Sequence, residues 1–193
     1  MEAFPLLRPV LWKGHYDGDV RSIEHQSRSL LTTSKQLNTG LEMDGGVSSS
    51  SDPDAPHDWK SMGPFFRWIY QHLETIWQDI GYKDGNVYPH ASWANLHPPG
   101  AWTCEHQHGD VPLVVVLYVK QPENGGNLEI FDPMFYNWAG TIRTPQFGWT
   151  EIPVQTGDVL VFPGWILHRT QKNQSDTDRI VISINFRVDN RWQ

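Results

Sequence analysis

The sequence predicts a mainly β fold, a sandwich, barrel or jelly roll, with one long helix in its N-terminal half. Three observations predict it. From about residue 85 onward, short runs of β-branched and aromatic residues alternate with turn formers. Sixteen glycines and fourteen prolines in 193 residues supply the turns such an architecture needs. The segment 64–80 carries the clearest helical period in the chain.

Taken in order, residues 1–18 place Trp12 and Tyr16 among turn formers and read as one strand on the domain edge. Residues 20–36 are polar, with a thin apolar stripe of Val20, Ile23, Leu30 and Leu31, and fit a surface helix. Residues 38–63, small and polar through Gly45–Asp54, read as a long mobile loop; its bland use is a connector, and its functional use is a lid. In 64–80, Phe65, Phe66, Ile69, Leu73, Ile76, Trp77 and Ile80 share a face that should pack on a sheet. Pro64 suits a first helical position, and Gly81 supplies the stop. Strand-like runs follow at 87–93, 100–106, 113–119, 127–131, 158–162, 165–170 and 179–188. The segment Asp132 to Gln155, with Tyr136, Trp138, Phe147 and Trp149, reads as a long insertion flanking the mouth of a site.

The length suits a single domain, 1–193, divided into a support region at 1–84 and a β core at 85–193. A formal charge of −7 argues against broad electrostatic binding to nucleic acid or an acidic membrane. Cys104 is the sole cysteine, so no intrachain disulfide forms and a reducing, cytoplasmic setting is expected. The start, Met1-Glu2-Ala3-Phe4, lacks the shape of a secretion signal. The longest apolar run, Leu113–Val119, is far short of a bilayer span and reads as a buried strand.

Six of the nine histidines, His15, His25, His57, His72, His90 and His97, stand apart and read as surface or packing residues. His106 and His108 differ. Side chains two apart on a strand share a face, so both can reach one metal, as can His108 and Asp110. His168, after the turn Phe162-Pro163-Gly164, is placed to add a third ligand. Two histidines and a carboxylate leave three positions open on iron(II), enough for a chelating 2-oxo acid and dioxygen. An isolated H-x-H pattern is weak evidence, and its weight comes from the residues around it.

Those residues, from Pro99 to Asn185, resemble the 2-oxoglutarate/iron(II) oxygenase superfamily, and look closest to an oxygenase family known from marine bacteria and their phages. Pro99-Gly100-Ala101 before His106 is similar to the approach to the first iron ligand in the alkylated-DNA repair branch. Asn124-Gly125-Gly126-Asn127-Leu128-Glu129-Ile130-Phe131 resembles the glycine turn and strand of prolyl hydroxylases. Gly157-Asp158 and Phe162-Pro163 precede His168 as they precede the distal histidine in many members, and Arg179–Phe186 resembles the last strand.

The resemblance implies a double-stranded β-helix, iron(II) as cofactor and 2-oxoglutarate as co-substrate. It implies that Arg179 binds the far carboxylate of 2-oxoglutarate, for which a planar guanidinium fork is suited, and that Tyr118 contacts the same molecule. The plain alternatives are a strand-start charge paired with Asp176 or Asp178, and a core tyrosine. Most members place an acid two residues after the first histidine. Here that position holds His108, which gives the set His106, His108, His168; a shifted register gives His108, Asp110, His168. Asp110 could also orient a ligand from outside.

The expected activity is hydroxylation of a peptide or protein side chain or of a small metabolite. Two rivals remain at this point. A cupin-like dioxygenase or isomerase would need no 2-oxo acid and would be indifferent to Arg179→Ala. A non-catalytic module could use Trp93, Trp102, Trp138, Trp149 and Trp165 as a ligand groove and need not retain iron.

Overall fold

The structure, a computed structural model, describes residues 11–34, 43–81, 85–132 and 148–189. Eleven strands and two α-helices are defined among them: β1 (Trp12–His15), α1 (Val20–Thr33), β2 (Met43–Asp44), β3 (Val47–Ser48), α2 (Gly63–Asp79), β4 (Asn86–His97), β5 (Trp102–Thr103), β6 (Leu113–Lys120), β7 (Leu128–Phe131), β8 (Trp149–Ile152), β9 (Asp158–Phe162), β10 (His168–Thr170) and β11 (Arg179–Asp189). A major sheet runs in the order β1-β9-β6-β11-β4-β3, and a minor sheet in the order β10-β7-β8. Every recorded pairing is antiparallel. This is the expected jelly roll, with the long helix and the expected surface helix both laid on its outer face.

The central strands of the major sheet are buried on both faces because both faces are covered. On β6, Leu113, Val115, Leu117 and Val119 pack with the helices, while Val114, Val116 and Tyr118 face the minor sheet. β11 alternates likewise: Ile180, Ile182, Ile184 and Phe186 go outward, and Val181 goes inward. The period of two therefore puts Arg179, Ser183 and Asn185 on the inner face with Val181. Each fully buried Val, Leu or Ile contributes roughly 1.5–3 kcal/mol, so this continuous core fixes the strand register.

Helix α2 starts at Gly63 with Pro64 in its first turn and buries Phe65, Ile69, Leu73, Ile76 and Trp77. It ends as Gly81, at φ 97°, donates its N–H to Gln78 O. Helix α1 is capped by Asp19, whose carboxylate accepts from the Arg21 and Ser22 N–H groups. It stops at Thr33, before the expected 36, where the hydroxyls of Thr32, Thr33 and Ser34 bond back to main-chain carbonyls and compete with helix extension.

The segment expected as a long loop at 38–63 needs correction over its described part. Residues 43–63 hold β2, β3 and two short 3-10 turns at 56–58 and 60–62, and they bury Ser48, Ser49, Trp59 and Met62. The serines allow this. Ser49 N–H donates to Ala94 O, and Ser49 Oγ accepts from Ala94 N–H, so a small polar stretch satisfies its own backbone against β4. The strand expected at 100–106 is only β5, and the one expected at 165–170 begins at His168, after a turn through Pro163–Ile166. β8 forms inside the expected 132–155 insertion; Tyr136, Trp138 and Phe147 lie outside the described residues. Among the described residues no helix is long and apolar enough to cross a membrane.

Candidate metal and co-substrate site

His106 and His108 lie on the loop between β5 and β6, not on a strand. Backbone bonds do the aligning instead. His106 N–H donates to His168 O at 3.0 Å, and His168 N–H returns to His106 O at 3.1 Å. His108 N–H donates to Gly164 O at 2.8 Å, and Gly164 N–H donates to Val111 O at 3.0 Å. Gly164 is needed for that approach, since a Cβ there would stand 2.3 Å from Val111 O. The three imidazoles converge: one ring nitrogen of each lies within 4.8 Å of the others. His168 is buried against Phe162, and Trp93 stacks on the His108 ring at 5.6 Å.

Each imidazole has its Nδ1 committed to an oxygen: His106 to Cys104 O at 2.9 Å, His168 to Ile166 O at 2.9 Å and His108 to Asn185 Oδ1 at 2.7 Å. A carbonyl only accepts, so Nδ1 carries the proton and the lone pair sits on Nε2. Burial and the neighbouring His106 ring hold His108 down to about 4 and His168 down to about 3, so both are neutral near pH 7. Three converging imidazoles oriented through Nδ1 are a metal-binding arrangement with its supporting shell in place.

Asp110 is not in this group. Its side chain is 85% exposed and sits 3.6 Å from the Arg187 Nη2. The structure therefore gathers the set His106, His108, His168 and leaves Asp110 at the rim.

The inner face of the sheet holds a second cluster. Arg179 is fully buried. Its Nη1 donates to Gly125 O at 2.7 Å, Gly126 O at 3.1 Å and Gln171 O at 3.1 Å, and its Nη2 donates to Thr170 Oγ1 at 2.8 Å. The glycine turn serves this contact. Gly126 has φ 83°, and a Cβ there would stand 2.6 Å from Gln171 O. Burial lowers the Arg179 pKa to about 10, opposed by Tyr118, and the group remains a cation. Burial raises Tyr118 well above the usual phenol range against the pull of Arg179, so it is a neutral hydroxyl. Asp178 pairs with Arg28 instead, so Arg179 is not a strand-start surface charge.

A family model described as "Putative 2OG-Fe(II) oxygenase" matches residues 91–185, the span that carries His106, His108, Tyr118, His168, Arg179 and Asn185. Over residues 91–185, just under half of its length, the sequence carries the pattern of the 2-oxoglutarate/iron(II) oxygenases. A search of curated proteins by sequence finds no match. Among solved structures the chain is similar to a prolyl-4-hydroxylase of Pseudomonas putida, at 15% identity and TM-score 0.65, covering 93% of each chain. It is similar to the viral collagen prolyl hydroxylase of Paramecium bursaria Chlorella virus-1 in its 2-oxoglutarate complex, at 13% identity and TM-score 0.63, covering 94% of this chain and 97% of that one. It is also similar to SnoN, a non-heme α-ketoglutarate-dependent epimerase from nogalamycin biosynthesis, at 14% identity and TM-score 0.65, covering 93% and 78%. These likenesses show the jelly-roll frame, and the matched family's description names iron(II) and 2-oxoglutarate.

The residues present fit both groups. Imidazole nitrogen suits iron(II), and a buried guanidinium whose Nε has no partner among the described residues suits a carboxylate. Three neighbours of these clusters were not assigned to them by the sequence reading: Asn185, Trp93, read as a groove candidate, and His97, read as a surface or packing residue. The inner-face period of β11, 179-181-183-185, was the available signal for Asn185. Trp93 and His97 face inward from β4, opposite Ser183 and Arg179, and no local pattern marks them. Of the tryptophans considered as a groove, Trp165 is 48% exposed, and Trp149 packs under Arg169 at 4.1 Å on the outer side of the minor sheet.

Proposed function

We propose that His106, His108 and His168 hold the iron, that Arg179 and Tyr118 receive the distal carboxylate of 2-oxoglutarate, and that the whole chain works as one catalytic domain in a reducing, cytoplasmic setting. The primary substrate is a peptide or protein side chain or a small metabolite, and the product is its hydroxylated form. The observation that carries this is the matched Nδ1 bonding of three converging imidazoles. When bound, iron(II) couples oxidative decarboxylation of 2-oxoglutarate to succinate with oxygenation of the substrate.

The chain's own residues set the geometry for that chemistry. The carbonyls of Cys104 and Ile166 and the amide of Asn185 hold the ring planes and keep the Nε2 lone pairs directed inward. Thr170 lies two residues beyond His168 on β10, and its hydroxyl accepts from Arg179. That is a strand advance of about 6.6 Å, of the order of the length of a five-carbon dicarboxylate. The ligand set carries no negative charge, so the two carboxylates of the co-substrate supply the compensation for the metal and for Arg179.

Iron-loaded protein incubated with 2-oxoglutarate should release succinate slowly without a primary substrate and faster with an accepted one. Succinate release equal to that of His168→Ala across a panel of peptides and small metabolites would sink the proposal.

A further inference from the structure

His97 reads as a packing histidine in the sequence, yet it is the cross-strand partner of Arg179. Residues directly opposite on antiparallel strands have Cβ atoms about 5 Å apart on the same face. Both side chains are fully buried. Each leaves one nitrogen without a partner among the described residues: Nε of Arg179 and Nδ1 of His97. Buried polar nitrogens are ordinarily satisfied, and a buried cation with an unfilled donor is more costly still. Two such atoms on facing positions of β4 and β11 point to one missing anionic acceptor.

We propose that His97 is a second anchor for the distal carboxylate of the co-substrate, donating from Nδ1 beside the Nε–H of Arg179, and that it thereby selects a dicarboxylate over a monocarboxylate 2-oxo acid. This rests on the assignment of 2-oxoglutarate to the Arg179 pocket above.

The surrounding hydrogen bonds accommodate the required tautomer, with the Thr103 hydroxyl as donor. His97 Nε2 lies 2.7 Å from Thr103 Oγ1. A hydroxyl can donate there, which puts the imidazole proton on Nδ1. Burial, then the charge of Arg179, holds His97 well below the ordinary histidine range, so the ring is neutral and presents a single N–H. The network is closed on the far side. Thr170 Oγ1 accepts both from the Thr103 N–H at 2.9 Å and from Arg179 Nη2 at 2.8 Å, so Thr103, His97 and Arg179 are held as one unit. Asn173, fully buried, donates to His97 O at 2.9 Å and fixes the end of β4. Packing alone would call for no polar atom at position 97, and the orphaned nitrogen would then be a standing cost.

The test compares 2-oxoglutarate with 2-oxopentanoate, which keeps the 2-oxo acid and replaces the distal carboxylate by a methyl group. Binding is measured by calorimetry on iron(II)-loaded protein without oxygen. His97→Phe should weaken 2-oxoglutarate about 10- to 100-fold, the value of a buried hydrogen bond to a charge, and leave 2-oxopentanoate unchanged. His97→Asn, whose amide can donate, should recover part of the loss. Equal weakening of both ligands, or none of either, would overturn the role of His97. Wild-type protein that binds both acids equally, or an Arg179→Met variant that keeps full preference for 2-oxoglutarate, would overturn the pocket assignment itself. A second measurement needs no variant. In nitrogen NMR of the wild type, the protonated His97 Nδ1 signal should move on adding 2-oxoglutarate and stay put with 2-oxopentanoate; the same response to both refutes the contact.

Discussion

Removing the side-chain amide of Asn185 tests the metal centre at the one point where a mutation can reach its support. His106 and His168 are oriented by main-chain carbonyls two residues away, which no substitution removes. The Nδ1 of His108 instead meets Asn185 Oδ1 at 2.7 Å, a side chain on β11. Loss of such a partner typically costs 10- to 100-fold in metal affinity. Trp93 stacks on the His108 ring with planes 20° apart and still limits its rotation. We therefore expect the lower end for Asn185→Ala, about tenfold, or about 1.4 kcal/mol. Asn185→Asp should bind iron(II) at least as well as wild type, because a carboxylate also accepts from Nδ1. The assay is an oxygen-free competition between protein and a chelator of known affinity, with metal-free thermal melts to separate folding from binding. Ser183→Ala, two residues back on the same face, serves as the control. If Asn185→Ala binds iron(II) like the control while His168→Ala does not bind, the amide does not orient His108 and the reasoning fails.

Other consequences are equally direct. Asp110→Asn should leave iron(II) affinity within about twofold of wild type, since an 85% exposed carboxylate outside the imidazole cluster has nothing to coordinate; a large loss would restore the shifted register. Gly126→Ala forces a side chain onto the Gln171 and Lys172 carbonyls at a positive φ, and should cost well over about 1 kcal/mol of stability and weaken 2-oxoglutarate binding together, as read by urea unfolding and calorimetry. Burial would raise the Asp158 pKa, but hydrogen bonds from Lys13, His15 and the Gln155 N–H outweigh it and hold it below the usual value. A depressed carboxylate stabilises the fold above its unfolded pKa of about 3.9, and that contribution is lost as pH falls through the folded value. Asp158→Asn should therefore be less stable than wild type by about 1.5–3 kcal/mol at pH 6–7, with the gap closing below about pH 4 in pH-resolved melts; a gap independent of pH would remove the ionic explanation.

The burial pattern explains which parts of the chain could be read directly. Strand Leu113–Lys120 is apolar on both faces, Arg179–Asp189 alternates with an apolar outer face, and helix Gly63–Asp79 repeats its apolar face at helical spacing, so local composition and period were enough. The serine-rich 43–63 segment gave no such signal, because its order comes from hydroxyl and backbone bonds to β4, which have no local period.

Sequence alone determined the β class, the two helices, and the candidate ligands His106, His108, Asp110 and His168 with Arg179 and Tyr118, because side-chain chemistry and short spacings are local properties. Only the tertiary structure gathered His106, His108 and His168 with Asp110 outside the cluster, paired His97 with Arg179 and brought Asn185 to His108. Those choices depend on which strands neighbour one another and on backbone bonds between residues 62 and 82 positions apart, such as His106 with His168 and His97 with Arg179. Contacts over such separations are set by the packing of the whole core, and no window of the sequence contains them.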